Sequence, residues 1–297
     1  DGAVTRTSLG GSGVFTGSTQ CGRGAPATVS TMPLNLADSP ARRAHPALLV
    51  LAAGLAALSC FTWLAVCALS GSGVAVYDAA VTQWAVQARS TVLTPLAWLA
   101  TGAGGTLGLS ALTAVMVAVL VVRCRPRHAL ILVAAMAGSS LLTMLLKEVF
   151  ARARPSEALL LGAPQTTYSF PSGHSLNTAV FAGTLAGFAL LSAAPPARKA
   201  LAVLAAAAGT ALVGLSRIYL AYHWLTDVLA GWALGAAWTC LVALLFLMVR
   251  RRRSGRARRG GALTGTSAVD GVEPPASRAH QQQGRPLVGD DLEVGAS

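Results

Sequence analysis

The chain has 297 residues, of which 54% are hydrophobic and only 11% are charged, and its mean hydropathy is +0.58. Soluble globular proteins carry about 25% charged residues, so this composition excludes an ordinary soluble domain and indicates a protein that crosses a membrane several times. The formal net charge of +12 is concentrated in clusters of basic residues beside the apolar stretches, which is the pattern of topology determinants.

Residues 1–45 are rich in Gly, Ser, Thr and Ala, and they are predicted to form a disordered segment before the membrane domain. Met32 is the first methionine, so residues 1–31 are a candidate for a non-native extension. The apolar stretch that begins at Pro46 is longer than the roughly 7–15 residues of a signal-peptide core. It is therefore predicted to be a retained helix.

Six apolar segments are predicted to cross the membrane, because a helical span needs about 20 apolar residues. They are Pro46–Ser70, Thr106–Val122, Ala129–Leu146, Ser175–Ala193, Ala200–Leu215 and Asp227–Val249. The predicted fold class is an all-α, polytopic bundle of six transmembrane helices over residues 46–249. The stretch Gly71–Gly105 is weakly apolar and carries Asp78, Trp84 and Trp98. Tryptophan favours the membrane surface, so this stretch is predicted to be an interfacial helical segment between spans one and two.

Basic clusters occur before span one and after spans two, four and six, which all lie on one side if the spans alternate. They are Arg42–Arg43, Arg123–Arg127, Arg198–Lys199 and Arg250–Arg259. The positive-inside rule then predicts a multi-pass protein of the cell membrane with both termini in the cytoplasm. The last cluster is interpreted as a topology anchor that can touch anionic headgroups, not as a nucleic-acid-binding element. Residues 250–297 are predicted to be a basic and then disordered cytoplasmic tail.

Three polar strings lie at the ends of apolar segments, all on the side predicted to face outward. They are KEVFARARP at Lys147–Pro155, PSGH at Pro171–His174 and SRIYLAYHWLTD at Ser216–Asp227. Ionisable groups near membrane spans are costly, and they usually mark functional sites. The predicted topology therefore brings all three strings to one face of the membrane.

Lys147, Arg154 and Arg217 supply three fixed cations on that face. The planar fork of arginine suits oxyanions, and lysine acts as a compact point charge, so a phosphate or pyrophosphate headgroup would balance them. Ser172 and Gly173 directly precede span four, where the unpaired N–H groups of a helix start bind anions. An ordinary N-cap is the alternative interpretation of Ser172.

His223 and Asp227 are four residues apart and share one face of a helix. A carboxylate that accepts from one ring nitrogen leaves the other nitrogen free to act as a nucleophile, and His174 is then available as a general acid. Two histidines and an aspartate also suit a metal ion, but three nearby cations would oppose it, so no metal and no other cofactor is predicted. Arg152, by contrast, is expected to lie on a basic rim that touches lipid headgroups.

The joint pattern K-x6-R-P, P-S-G-H and S-R-x5-H-x3-D resembles the signature of the type-2 phosphatidic acid phosphatase superfamily. This superfamily also includes vanadium haloperoxidases and bacterial prenyl-pyrophosphate phosphatases. The resemblance covers Lys147–Asp227 by motif and about Pro46–Val249 by layout. Because the haloperoxidase branch is soluble, the apolar spans favour a membrane phosphatase.

The resemblance implies that His223 attacks phosphorus and forms a phosphohistidine, that Asp227 orients it, and that His174 protonates the departing oxygen. The implied phosphate-binding residues are Lys147, Arg154, Ser172, Gly173 and Arg217. The implied activity is metal-independent hydrolysis of a membrane lipid phosphate or pyrophosphate, with polyprenyl pyrophosphate, phosphatidic acid and phosphatidylglycerol phosphate as leading substrates. A lipid phosphotransferase and a non-catalytic lipid-phosphate binding or transport protein remain alternatives.

Overall fold

A computed structural model describes residues 40–265 of the chain, with side chains placed for residues 46–250. These residues form α-helices, two short 3-10 helices and no strand. The α-helices are α1 (Pro40–Ser70), α2 (Asp78–Gln87), α3 (Leu93–Gly104), α4 (Thr106–Val122), α5 (Pro126–Phe150), α6 (Gly173–Leu190), α7 (Pro196–Tyr219) and α8 (Leu225–Gly265). Most of the predicted N-terminal segment and residues 266–297 of the predicted tail lie outside the described residues.

Four helical stretches are long and apolar enough to cross a membrane, and they correspond to the first, third, fifth and sixth predicted spans. They are Pro46–Ser70, Pro126–Phe150, Pro196–Tyr219 and Leu225–Arg250. The helices α3 and α4 meet at a bend of 57° and together form one further candidate. The structure therefore has four or five candidate spans, and the predicted number of six is not confirmed.

The fourth predicted span corresponds to α6, which is not among the candidate spans. Its first turns carry His174, Ser175 and Asn177, and these side chains lower its hydropathy. Every residue of α6 except Leu190 is at least half-buried, and the helix packs against α5, α7 and α8. It is therefore the central helix of the bundle, and its surface is shaped for protein neighbours more than for lipid.

The predicted interfacial stretch forms a 3-10 helix at Gly73–Tyr77, followed by α2 and α3. The helix α2 contacts α7 and α8, whereas α3 packs against α7 and leads into α4. The stretch is thus helical, as predicted. Its position at a membrane surface is not confirmed, because the bent pair of α3 and α4 forms a candidate span.

Aromatic packing fixes the loop that carries the PSGH string. Phe170 is fully buried, and its ring lies 6.0 Å from the ring of Phe61 on α1 and 4.8 Å from that of Phe150 on α5. Such aromatic contacts contribute about 0.5–1.5 kcal/mol each beyond their burial. They anchor the residue immediately before Pro171, and so they hold the start of α6 against α1 and α5.

Candidate active site

The three polar strings converge at one end of the bundle. Lys147 lies in the last turn of α5, His174 in the first turn of α6, and Arg217 in the last turn of α7. Arg154 follows α5 and His223 precedes α8. Residues far apart in the sequence thus meet where four helices begin or end.

His223 and Asp227 form a buried pair, with 2% and 0% of their surfaces exposed. The Nδ1 atom of His223 lies 3.4 Å from Oδ2 of Asp227, and its Nε2 atom lies 3.5 Å from Nη1 of Arg154. A guanidinium can only donate, so these contacts fit a neutral ring with its proton on Nδ1. The ring's lone pair is then on Nε2, the nitrogen that faces Arg154.

Electrostatics favour the same neutral state of His223. Burial is the largest effect, and the charges of Arg217, Arg154 and Lys147 follow; together they hold the pKa of His223 well below its ordinary value of 6.5. The imidazole therefore keeps its lone pair at neutral pH.

Asp227 is held by donors on both carboxylate oxygens. Oδ2 accepts from the hydroxyl of Ser169 and from the backbone N–H of Trp224 at 3.0 Å. Oδ1 accepts from Nη1 of Arg152 at 2.5 Å. These contacts fix the carboxylate in the orientation that faces the His223 ring.

The expectation that Arg152 touches lipid headgroups is wrong. Its side chain is only 15% exposed and forms ion pairs with Asp227 and, at 2.8 Å, with Asp78. Asp78 in turn accepts from the backbone N–H of Thr226 at 2.9 Å and from its hydroxyl at 2.6 Å. A buried chain of charges therefore connects the start of α2 to the first turn of α8. Sequence reasoning did not identify Asp78 and Arg152 as members of this chain of charges. The presence of an acid, Asp78, in the weakly apolar stretch before α3 was the signal that could have indicated it.

Arg154 is immobilised by backbone oxygens. Its Nε atom donates to the Thr167 carbonyl at 2.7 Å, and Nη1 donates to the Tyr222 carbonyl at 2.7 Å. Nη2 donates to the Thr167 hydroxyl at 3.0 Å and to the Tyr168 carbonyl at 3.2 Å. Burial lowers the pKa of Arg154 from 12.5, but the group remains a cation at neutral pH. Lys147 is held by the same segment, donating to the Thr167 hydroxyl at 3.3 Å and to the Tyr168 carbonyl.

Arg217 has unused donors inside the protein. It is 2% exposed, and its Nη1 atom donates to the Thr101 hydroxyl on α3 at 2.6 Å. Its guanidinium carbon lies 4.0 Å from the centre of the Tyr222 ring. Within the described part of the chain, its Nε and Nη2 atoms are buried without a hydrogen-bond partner. An unpaired buried donor costs about 1–3 kcal/mol, and more when it is charged. The guanidinium of Arg217 therefore offers two donors that suit an oxyanion.

Ser172 behaves as the N-cap of α6, the alternative that the sequence left open. Its Oγ atom accepts from the backbone N–H and the hydroxyl of Ser175, at 3.5 and 3.0 Å. Gly173 and His174 line the cavity beside His223, whereas Ser172 is not among the lining residues. The Nε2 atom of His174 lies 3.3 Å from where a Cβ atom on Gly105 would be, so the bend between α3 and α4 leaves room for this imidazole.

A cavity of about 750 Å³ runs from this cluster between α4, α5 and α6. Its charged end is lined by Lys147, Gly173, His174 and His223. The next level is polar and is lined by Ser110, Thr113, Ser140 and Asn177. The far part is apolar and is lined by Ala114, Val117, Val133, Met136 and Ala137. This size is typical of a small-molecule site. The lining changes from charged through polar to apolar, which matches an amphiphile with an anionic head.

The charge balance at the site also favours an anion. Arg152 is paired with both Asp78 and Asp227. Lys147, Arg154 and Arg217 act as cations on the neutral ring of His223, and an anion placed there would be attracted by all three. Within residues 46–250, no three His, Cys, Asp or Glu side chains form a group suited to a metal ion.

Comparison with known proteins agrees with this geometry. The family model of the PAP2 superfamily matches residues 128–251, a range that includes all three strings. Phosphatidylglycerophosphatase B of Bacillus subtilis (strain 168) is 39% identical over 112 residues, which cover 37% of this chain and 50% of that protein. Undecaprenyl-diphosphatase of Sulfolobus acidocaldarius is 38% identical over 94 residues, which cover 30% of this chain and 41% of that protein.

A solved structure is also similar. It is the crystal structure of a transmembrane PAP2-type phosphatidylglycerolphosphate phosphatase from Bacillus subtilis, with a TM-score of 0.56 and 29% sequence identity, covering 63% of this chain and 93% of that one. The chain spans about half the length of the first curated relative that it matches. Residues 128–251 therefore match the PAP2 superfamily, and the helical architecture resembles that of a transmembrane PAP2-type phosphatase.

Proposed function

We propose that the chain is an integral membrane phosphatase that hydrolyses a lipid phosphate or pyrophosphate through a phosphohistidine. The observation that carries this proposal is the pair of buried, unpartnered donors of Arg217 in the same charged cluster as the neutral imidazole of His223. Two relatives are named for activity on phosphatidylglycerophosphate and undecaprenyl diphosphate, which supports lipid phosphates as the substrate class.

In the first step, Nε2 of His223 attacks phosphorus, a P–N bond forms, and the P–O bond to the lipid breaks. Burial and the charges of Arg217 and Lys147 lower the pKa of His174 to about 2 in the protein alone, so its ring is neutral there. The negative charge of the bound phosphate opposes this effect, and His174 then takes up the proton that it donates to the departing oxygen. Asp227 stabilises the positive charge that develops on the His223 ring. Water then attacks the phosphohistidine and His174 takes up its proton. Inorganic phosphate leaves, and His223 returns to its neutral form.

The cations act on the transferring phosphoryl group. In this proposal Lys147, Arg154 and Arg217 stabilise the negative charge that spreads over its non-bridging oxygens, and the start of α6 at Gly173 adds backbone N–H groups. Because these donors are fixed before the substrate arrives, they require little reorganisation during the reaction. Such electrostatic stabilisation is the main protein contribution in phosphoryl transfer.

The cavity supports a lipid substrate that lies along α4, α5 and α6, with its phosphate at His223 and its chain toward Val117 and Val133. Phosphatidic acid, phosphatidylglycerol phosphate and polyprenyl pyrophosphate all have this amphiphilic form. The site is proposed to face outward from the cell membrane, with both termini in the cytoplasm, because the basic clusters occur at the opposite helix ends.

The test is release of phosphate by the full chain, purified in detergent, from each of these three lipids in the presence of a metal chelator. We expect release by the wild type and none by His223→Ala, whose folding is checked by circular dichroism. Phosphate transferred only to an added alcohol would indicate a phosphotransferase. Binding of the lipids without release, unchanged in the variant, would indicate a binding or transport protein.

A further inference from the structure

The charges of the described protein are divided between the two ends of the bundle. The acids of residues 46–250 are Asp78, Glu148, Glu157 and Asp227, and all of them lie at the end that holds the active site. The other end carries Arg123, Arg125, Arg127, Arg198, Lys199 and Arg250. With a rise of about 1.5 Å per residue, the 25 residues of α5 separate the two ends by roughly 37 Å.

A second cavity, of about 720 Å³, opens at this basic end between α5, α6 and α8. Its mouth is formed by Arg125, Arg127 and Arg250, and its interior by Ile131, Ala134, Trp238, Val242 and Phe246. The lining residues are distinct from those of the catalytic cavity. The basic end therefore has a separate apolar cavity with a cationic mouth.

The walls of this second cavity are ordered by specific contacts. The indole N–H of Trp238 donates to the Ala135 carbonyl at 3.0 Å. The His128 ring packs edge-on against Phe188 and Phe246, with centroids 4.7 and 5.7 Å apart. These contacts join α5, α6 and α8, so the cavity is formed before any ligand arrives.

We propose that this second cavity binds one anionic phospholipid. The phosphate would lie between Arg125 and Arg127, and an acyl chain would lie against Trp238 and Phe246. Charge complementarity selects this ligand, because basic residues near a membrane attract anionic lipids by about 1 kcal/mol each and the described acids all lie at the other end. A zwitterionic lipid offers the same chains but no net charge.

The test is native mass spectrometry of the full chain in detergent with phosphatidylglycerol or phosphatidylcholine. We expect one retained phosphatidylglycerol, and an affinity loss of about 10- to 30-fold in the double variant Arg125→Gln/Arg127→Gln. The matched control is Arg198→Gln/Lys199→Gln, which removes the same charge at the same end, outside the second cavity. It should retain the lipid. Ala134→Phe, which fills the cavity without changing charge, should weaken binding as well.

Three results would overturn this assignment. Equal losses in the two double variants would indicate a general surface attraction. Equal retention of phosphatidylcholine would indicate an apolar site without charge selection. Phosphatidylglycerol binding that is absent in the full chain and occurs only after deletion of residues 266–297, which include Asp290 and Asp291, would indicate that the chain's own acidic segment fills the site.

Discussion

At the residue scale, the proposed nucleophile His223 depends on groups that do not line the cavity beside it. Asp227 holds His223, Arg152 holds Asp227, and Asp78 holds Arg152. The two carboxylates are buried and Arg152 is mostly buried, so each charge depends on its neighbour for stabilisation. Removing one member therefore leaves an uncompensated buried charge, which is more costly than replacing a matched pair.

Because these charges are coupled, the effects of substituting Arg152 and Asp78 on the free energy of unfolding should not be additive. Arg152→Gln leaves two facing carboxylates and should lower the free energy of unfolding by about 3 kcal/mol, with a clear fall in kcat and little change in KM. Adding Asp78→Asn to that variant should restore part of the stability, because it removes one of the two carboxylates. Thermal unfolding in detergent and steady-state phosphate release check both effects. Simple additivity of the two substitutions would contradict a direct coupling.

The pH dependence follows from the neutral state of His223. Because burial and nearby cations lower its pKa, the lone pair is lost only well below pH 6.5, and the acidic limb of kcat/KM should lie there. Arg154→Gln removes one of the cations, so the pKa should rise and the acidic limb should move to higher pH. The shift of the acidic limb is checked by measuring kcat/KM against pH for the wild type and for Arg154→Gln with the same substrate. The titration of the substrate itself then affects both profiles equally. If the acidic limb does not move, the group that titrates there is not His223.

The polar level of the catalytic cavity predicts a preference among lipids. Asn177, one helical turn beyond His174 on α6, and Thr113 line this level, and the amide N–H groups of Asn177 and the hydroxyl of Thr113 can donate hydrogen bonds. The ester carbonyls of a glycerolipid would accept from these donors, whereas a prenyl chain has no acceptor there. Asn177→Leu should therefore lower kcat/KM for phosphatidic acid relative to a prenyl phosphate by about tenfold. A soluble phosphate monoester should be unaffected, and an unchanged lipid ratio would refute the preference.

At the element scale, the site is assembled from helix ends, so the distances between helices decide its geometry. The start of α6 lies directly on α8, because glycine at position 231 leaves no side chain between them. A Cβ atom there would lie 2.8 Å from the backbone oxygen of Ser172. Small residues at such crossings let membrane helices approach closely.

Gly231→Ala tests this close packing. The added methyl group meets backbone, so we expect the start of α6 to shift and phosphate release to fall by at least tenfold. Gly187→Ala is the matched control, since its Cβ atom would meet nothing within 4 Å and alanine favours the helix by about 1 kcal/mol. Equal activity of both variants would show that the contact does not position the site.

At the scale of the whole molecule, the bundle has two chemically different ends. One end gathers the described carboxylates with the proposed site residues Lys147, Arg154, Arg217, His174 and His223, whereas the charged side chains of the other end are all basic within residues 46–250. The positive-inside rule predicts that the basic end lies in the cytoplasm and that substrate reaches the proposed site from outside the cell. The opposite orientation in the membrane would place the arginines of the basic end outside the cell. Protection of the C-terminal segment from protease in vesicles reports which orientation occurs.

The sequence by itself determined the helical class and the three strings that converge, because hydropathy and motif spacing are local properties. Their spacing also singled out His223, His174, Arg154 and Arg217 as candidate site residues. The predicted number of six spans is not confirmed, since the bend at Gly105 and the burial of polar α6 depend on neighbouring helices.

Only the tertiary structure decided which arginine of the ARARP segment faces inward with a buried partner. Arg152 and Arg154 have nearly the same local sequence, but α2 brings Asp78 to the first and the loop carbonyls of Tyr168 and Tyr222 surround the second. Ion pairs between residues more than 70 positions apart leave no periodic trace along the chain. Their formation depends on helix packing, which brings charges together in space without any rule of spacing in sequence.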